Sequence, residues 1–126
     1  MASSATTIDG LTVRATSVRV TDDEITVELE DGRTLSVPTA WFPRLVHATP
    51  RERANYEVDD VGVTWPDVEA DFSIRGLLLG RKSGESPKSL KFWLDNRSKG
   101  RKVKFVDYIA QRRTSKKPTV KRKKIA

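Results

Sequence analysis

A chain of 126 residues has room for one domain, and 24 Lys or Arg against 17 Asp or Glu give it a formal charge of +7. The absence of cysteine excludes disulfide stapling, thiolate catalysis and Cys-based zinc sites and suits a reducing, cytoplasmic setting. No apolar run approaches the roughly 20 residues that a membrane-spanning helix needs.

The charge is not spread evenly. Residues 101–126 hold eleven Lys or Arg and one acid, Asp107, a net +10, which leaves residues 1–100 with thirteen basic and sixteen acidic groups, a net −3. Two parts with different tasks are expected, because a like-charged segment stays extended until a polyanion neutralises it.

Residues 1–10 open with the small, polar run Met1 to Thr7 and read as a disordered leader. From Leu11 the pattern is strand-like, with Val13 and Ala15 on one alternation and Val18 and Val20 on the other, so a bulge or short break is expected at Thr16-Ser17. Glu24 to Leu29 alternates cleanly. Opposing Val20 with Ile25 and Val18 with Val27 leaves Asp22-Asp23 as a two-residue turn. In the next hairpin, opposing Val27 with Leu35 and Ile25 with Val37 keeps the apolar side chains on one face. That register makes Glu30-Asp31-Gly32 a three-residue loop with a left-handed glycine third.

Thr39 is expected to cap a short helix over Ala40 to Ala48, with Trp41, Leu45 and Ala48 on its apolar side. Thr49-Pro50 repeats the cap-then-proline signature and opens a second helix through Asn55. Tyr56 to Val58 and Val61 to Trp65 read as strands. Trp65-Pro66 reads as a buried strand end, and Leu77-Leu78-Leu79 between two glycines as a short closing element. Ser86-Pro87 announces a helix through about Asn96, with Leu90, Trp93 and Leu94 as its stripe and Gly100 just past its end. Val103 to Ile109 fits either a helical turn or a strand, and disorder is expected past Gln111.

The order Asp31-Gly32-Arg33, Trp41-Phe42-Pro43-Arg44-Leu45, Thr49 to Tyr56 (TPRERANY), Gly62 to Pro66, Asp67 to Ile74 and Gly76-Leu77-Leu78 resembles the small bacterial family called domain of unknown function 2442. The likeness covers about Leu11 to Gly80, and Gly84-Glu85-Ser86 with Leu90, Trp93 and Leu94 resembles the short helix often appended to it. It implies a small α+β domain with an antiparallel sheet and no known catalytic residues. It also implies relatives of antitoxin or regulatory type that act beside a second small protein, some with a DNA-binding segment after the domain. Glu69-Ala70-Asp71 departs from the Asp-Glu-Asp run common in the family, and the basic tail goes beyond the usual domain.

Asp67, Glu69 and Asp71 have the alternate spacing that begins a calcium loop, but Phe72 and Leu78 stand where its glycine and glutamate belong, so a solvated acidic face is the better reading. Gly76 to Ser83 lacks the spacing and the lysine of a phosphate loop. His47, the only histidine, reads as a capping or surface residue. Trp41, Phe42, Trp65, Phe72 and Trp93 read as core rather than as a stacking platform for bases. On the last helix one of Phe92 and Trp93 must face outward, which makes this pair the candidate anchor for a partner chain.

The expected protein is therefore an α+β fold, a small antiparallel sheet of hairpins with short helices, over residues 11–82. An appended helix follows over 83–100 and a basic, largely disordered tail over 101–126. It is expected to be a non-enzymatic binding module, without cofactor, metal, membrane or small-molecule substrate, that takes a protein partner on its domain and nucleic acid on its tail. An antitoxin-like regulator fits, and an accessory subunit of a ribonucleoprotein or nucleic-acid-processing complex is the alternative; DNA and RNA both stay open, as does nucleoid association. The phosphate contacts are assigned to Arg101, Lys102, Lys104, Arg112, Arg113, Lys116, Lys117, Lys121, Arg122, Lys123 and Lys124.

Overall fold

The computed structural model describes residues 13–113, so the expected leader and the end of the basic tail lie outside the described residues. The chain divides into two compact units between Gly84 and Glu85. The fold class is α+β as expected, but the first unit holds two three-stranded antiparallel sheets rather than one.

The first sheet is a meander of β1 (Ala15–Val20), β2 (Glu24–Leu29) and β3 (Thr34–Pro38). Both hairpins have the expected registers, Val20 opposite Ile25 and Val18 opposite Val27, then Val27 opposite Leu35 and Ile25 opposite Val37. The pairing slips between Ala15 and Ser17, so Thr16 is the bulge. This lets Ala15 join Ile25, Val27 and Leu29 among the buried side chains. Gly32 sits at φ 96°, left-handed as a three-residue loop requires, and its N–H donates to Leu29 O at 3.0 Å. The same loop holds the Asp31 carboxyl below its ordinary value. The main cause is the Arg33 side chain, whose Nε–H donates to it at 2.9 Å.

The helix expected over Ala40 to Ala48 is instead a 3-10 turn, Thr39–Trp41, followed by α1 (Pro43–Val46). Thr39 caps nothing. It is fully buried, and its hydroxyl donates to Thr21 O at 2.8 Å, so a tertiary bond across 18 residues outcompetes the local cap. The break at Phe42 (φ −130°, ψ 83°) shifts the helical phase, and Phe42 joins Leu45 and Ala48 in the core while Trp41 stays half-exposed. α2 (Pro50–Ala54) begins as expected, with Thr49 and Glu52 forming a reciprocal capping box.

The second sheet pairs β4 (Glu57–Val58), β5 (Gly62–Trp65) and β6 (Ala70–Ser73). β6 was not expected from the sequence. Behind it Ser73 caps α3 (Ile74–Leu78), whose Ile74 and Leu77 are buried while Leu79 is exposed, so the closing element packs through only part of its leucine run. Trp65 has no exposed surface, and its Nε1–H donates to Arg53 O at 3.0 Å. Around it the rings of Phe42, Phe72, Trp65 and Tyr56 form a chain with successive centroids 5.2, 5.3 and 6.1 Å apart.

The hairpin between β4 and β5 turns on Asp59, whose Oδ1 accepts the N–H groups of Val61 at 2.9 Å and Gly62 at 2.8 Å. Those donors, Val61 first, hold its carboxyl below the ordinary 3.8. A depressed folded-state pKa means that the ionised group stabilises the fold above its unfolded value and that this contribution is lost as pH falls through the lowered folded value. Asp59→Asn, which keeps an acceptor but does not titrate, is expected to flatten the decline of the thermal midpoint between about pH 5 and pH 2. An unchanged acid limb would leave the turn without a share in acid unfolding.

The second unit contains α4 (Pro87–Ser98), capped by the Ser86 hydroxyl as expected. Its exit is a Schellman motif in which Gly100 N–H donates to Arg97 O and Arg101 N–H to Asn96 O. The open reading of Val103 to Ile109 resolves as helix from Phe105 onward, with Val103 and Lys104 outside it. Residues 105–113 are helical and form α5, so the disorder expected past Gln111 does not hold for Arg112 and Arg113. Its start is fixed by Asp107, whose Oδ2 accepts Lys104 N–H at 2.8 Å.

Candidate nucleic-acid interface

The boundary between the units sharpens the charge split. Residues 1–84 hold nine Lys or Arg against fourteen Asp or Glu, a net −5, and residues 85–126 hold fifteen against three, a net +12. Each acid of the basic unit is already engaged inside it. Glu85 accepts the Ser89 hydroxyl at 2.9 Å, Asp95 pairs with Lys91 at 2.8 Å, and Asp107 caps α5. The remaining positive charge is uncompensated within the unit.

Arg101, Lys102 and Lys104 are exposed on the six-residue segment between α4 and α5, and Arg112 and Arg113 are exposed on α5. Lys116, Lys117, Lys121, Arg122, Lys123 and Lys124 lie outside the described residues. The Arg112 guanidinium stands 5.9 Å from the centre of the Tyr108 ring, which fixes its direction without neutralising it. Four cations that the sequence reading left out belong to the same unit: Lys88, Lys91, Arg97 and Lys99. The signal that finds them is unit membership, since counting charge along the chain alone stopped at Gly100.

The pair expected to anchor a partner is placed differently. Trp93 is only 5% exposed and carries the Arg97 guanidinium 4.9 Å from its ring centre; Phe92 is half-buried, 5.6 Å from Tyr108. A partner reaching Trp93 must first displace what covers it.

The three alternating acids are not brought together as a ligand set. Asp67 accepts Asn55 Nδ2–H at 2.9 Å, Glu69 lies 3.7 Å from the buried Arg44 guanidinium in a left-handed conformation (φ 52°), and Asp71 is exposed on β6. Arg44 also donates to Val68 O at 3.1 Å, so this arginine fixes the turn that joins β5 to β6. Among the described residues, no group of three or more His, Cys, Asp or Glu could hold a metal ion. His47 is exposed and forms the C-cap of α1. An open groove of about 370 Å³ beside the β1 edge is lined by Val18, Arg19, Val20, Pro50, Arg53 and Tyr56, among others. Its Arg53 is already committed to Leu45 O, Val46 O and Asp22. Among the described residues no helix is long and apolar enough to cross a membrane.

The family model described as "Protein of unknown function (DUF2442)" matches residues 15–83, more than half of the chain. The chain belongs to this family. No curated protein matches it. Among solved structures, the crystal structure of a protein of unknown function from Rhodospirillum rubrum ATCC 11170 is similar at 25% identity and a TM-score of 0.50, covering 58% of this chain and 93% of that one. The DUF2442 match ends at Ser83, so the basic unit beginning at Glu85 is an addition to the matched domain.

Proposed function

We propose that this DUF2442 protein is a non-enzymatic binding module whose basic C-terminal unit holds nucleic acid through its phosphates. The observation that carries the reading is the coincidence of the charge split with the structural boundary, −5 on one side and +12 on the other. Asp31 and Asp59 both have carboxyls lowered by turn hydrogen bonds, a structural use rather than the poised acidity of a general acid or base. The acidic α+β unit is then free for a protein partner, and an antitoxin-like regulator in the cytoplasm fits both halves. An accessory subunit of a ribonucleoprotein is the second reading, favoured by the exposed ring of Phe105.

The test is a salt series on the full chain with duplex DNA. Each engaged phosphate contributes about 0.9 to the slope of log affinity against log salt. Arg101→Gln, Lys102→Gln and Lys104→Gln together are expected to reduce that slope by roughly 2 to 3. The pair Arg19→Gln and Arg51→Gln, exposed on the acidic unit, is expected to leave it unchanged. A slope insensitive to the first set, or equally sensitive to the second, overturns the reading.

A further inference from the structure

Large apolar side chains exposed among the described residues are Val46, Val61, Leu79, Phe105 and Val106, and a single one of them is aromatic. That ring, Phe105 at 48% exposure, is also the one directly preceded by exposed cations, at Arg101, Lys102 and Lys104. It opens α5, and its inner side is supported. Tyr108, 9% exposed, lies 5.9 Å behind it at an interplanar angle of 36°, and Phe92 continues the ladder 5.6 Å beyond Tyr108. Arg112 holds the Tyr108 ring from the same unit.

A supported aromatic face at the end of a cationic track is the arrangement that binds unpaired nucleic acid. The cations follow the backbone, while the ring receives a base, which a duplex keeps stacked inside itself. An apolar protein partner would gain nothing from the adjacent positive segment, whereas a polyanion carrying exposed π-faces gains from both. We infer that Phe105 is a stacking platform for an unpaired base, so that the basic unit prefers single-stranded nucleic acid to duplex. The inference rests on the proposed function and names the ligand class of that same interface. The ring recognises a base on either sugar, so single-stranded RNA and DNA are separate arms of the test.

The experiment measures anisotropy of labelled oligouridine, oligothymidine and duplex DNA with the full chain at fixed salt. Phe105→Ala is expected to weaken single-strand binding about tenfold and to leave duplex binding within about twofold. Phe105→Tyr, which keeps the ring, is expected to restore it, and Val106→Ala, which removes an exposed apolar group without a π-face, is expected to have no effect. Loss in one single-strand arm alone supports the inference and names the sugar. An equal loss for duplex, no loss at all, or a change in oligomeric state with Phe105→Ala overturns the stacking role while the wild-type salt slope still supports the phosphate interface. Absence of salt-dependent binding by the wild type to all three ligands overturns both.

Discussion

Replacing Trp65 by alanine is expected to lower the unfolding free energy by about 3–5 kcal/mol, a large share of the roughly 5–15 kcal/mol that holds a small domain together. The side chain has no exposed surface and lies between Phe72 and Tyr56 in the ring chain. Its removal leaves a cavity that the paired strands β5 and β6 cannot collapse into without losing register. It also orphans Arg53 O, which accepts the indole N–H. Trp65→Phe separates the two losses. It retains most of the apolar volume and forfeits the hydrogen bond, so its cost is expected to be smaller. Urea unfolding measures both, and a midpoint for Trp65→Ala within error of the wild type would show that the indole is not the keystone of this core.

Gly62→Ala is expected to cost about 3 kcal/mol, and for a different reason. Gly62 opposes Ser73 at the edge of the β5–β6 pairing, and a Cβ there would overlap the Phe72 carbonyl oxygen and stand 2.9 Å from Ser73 Cα. Every atom it meets is backbone, so no rotamer change relieves the clash and the strands must part. Amide hydrogen exchange distinguishes this from a general loss. The amides of β6 and the start of α3 are expected to lose protection first, while β1 to β3 keep theirs. Uniform loss across both sheets would mean that the two sheets unfold as a single cooperative unit.

The parts of the fold that were legible are those in which sequence neighbours decide the structure. The registers of β1 to β3 follow from alternation and from one glycine, and the caps of α2 and α4 follow from Thr49-Pro50 and Ser86-Pro87. What was missed depends on distant groups. Thr39 reads as a cap until Thr21 O arrives from another turn. The strand β6 was hidden because Asp67, Glu69 and Asp71 drew attention to acids. The apolar alternation of Val68, Ala70 and Phe72 begins in a turn held by buried Arg44, with Glu69 left-handed where no residue type announces it. The helix over 105–113 had a local signal, the acid Asp107 three residues after the capping position Lys104, whose N–H it accepts, which the competing strand pattern obscured. At the interface the cations were legible one by one, but their grouping with Arg97 and the ring ladder needed the turn at Gly100.

The unequal loading of the two units also governs how the molecule travels. A body of −5 joined to one of +12 has a handle on which an external field exerts torque, whatever the angle between them. Near a polyanion the attraction of one unit and the repulsion of the other bias the chain's orientation before any contact is made, over the screening distance of about 10 Å at moderate salt. Encounters with a polyanion are thus sorted by orientation, and those in which the basic unit leads are favoured.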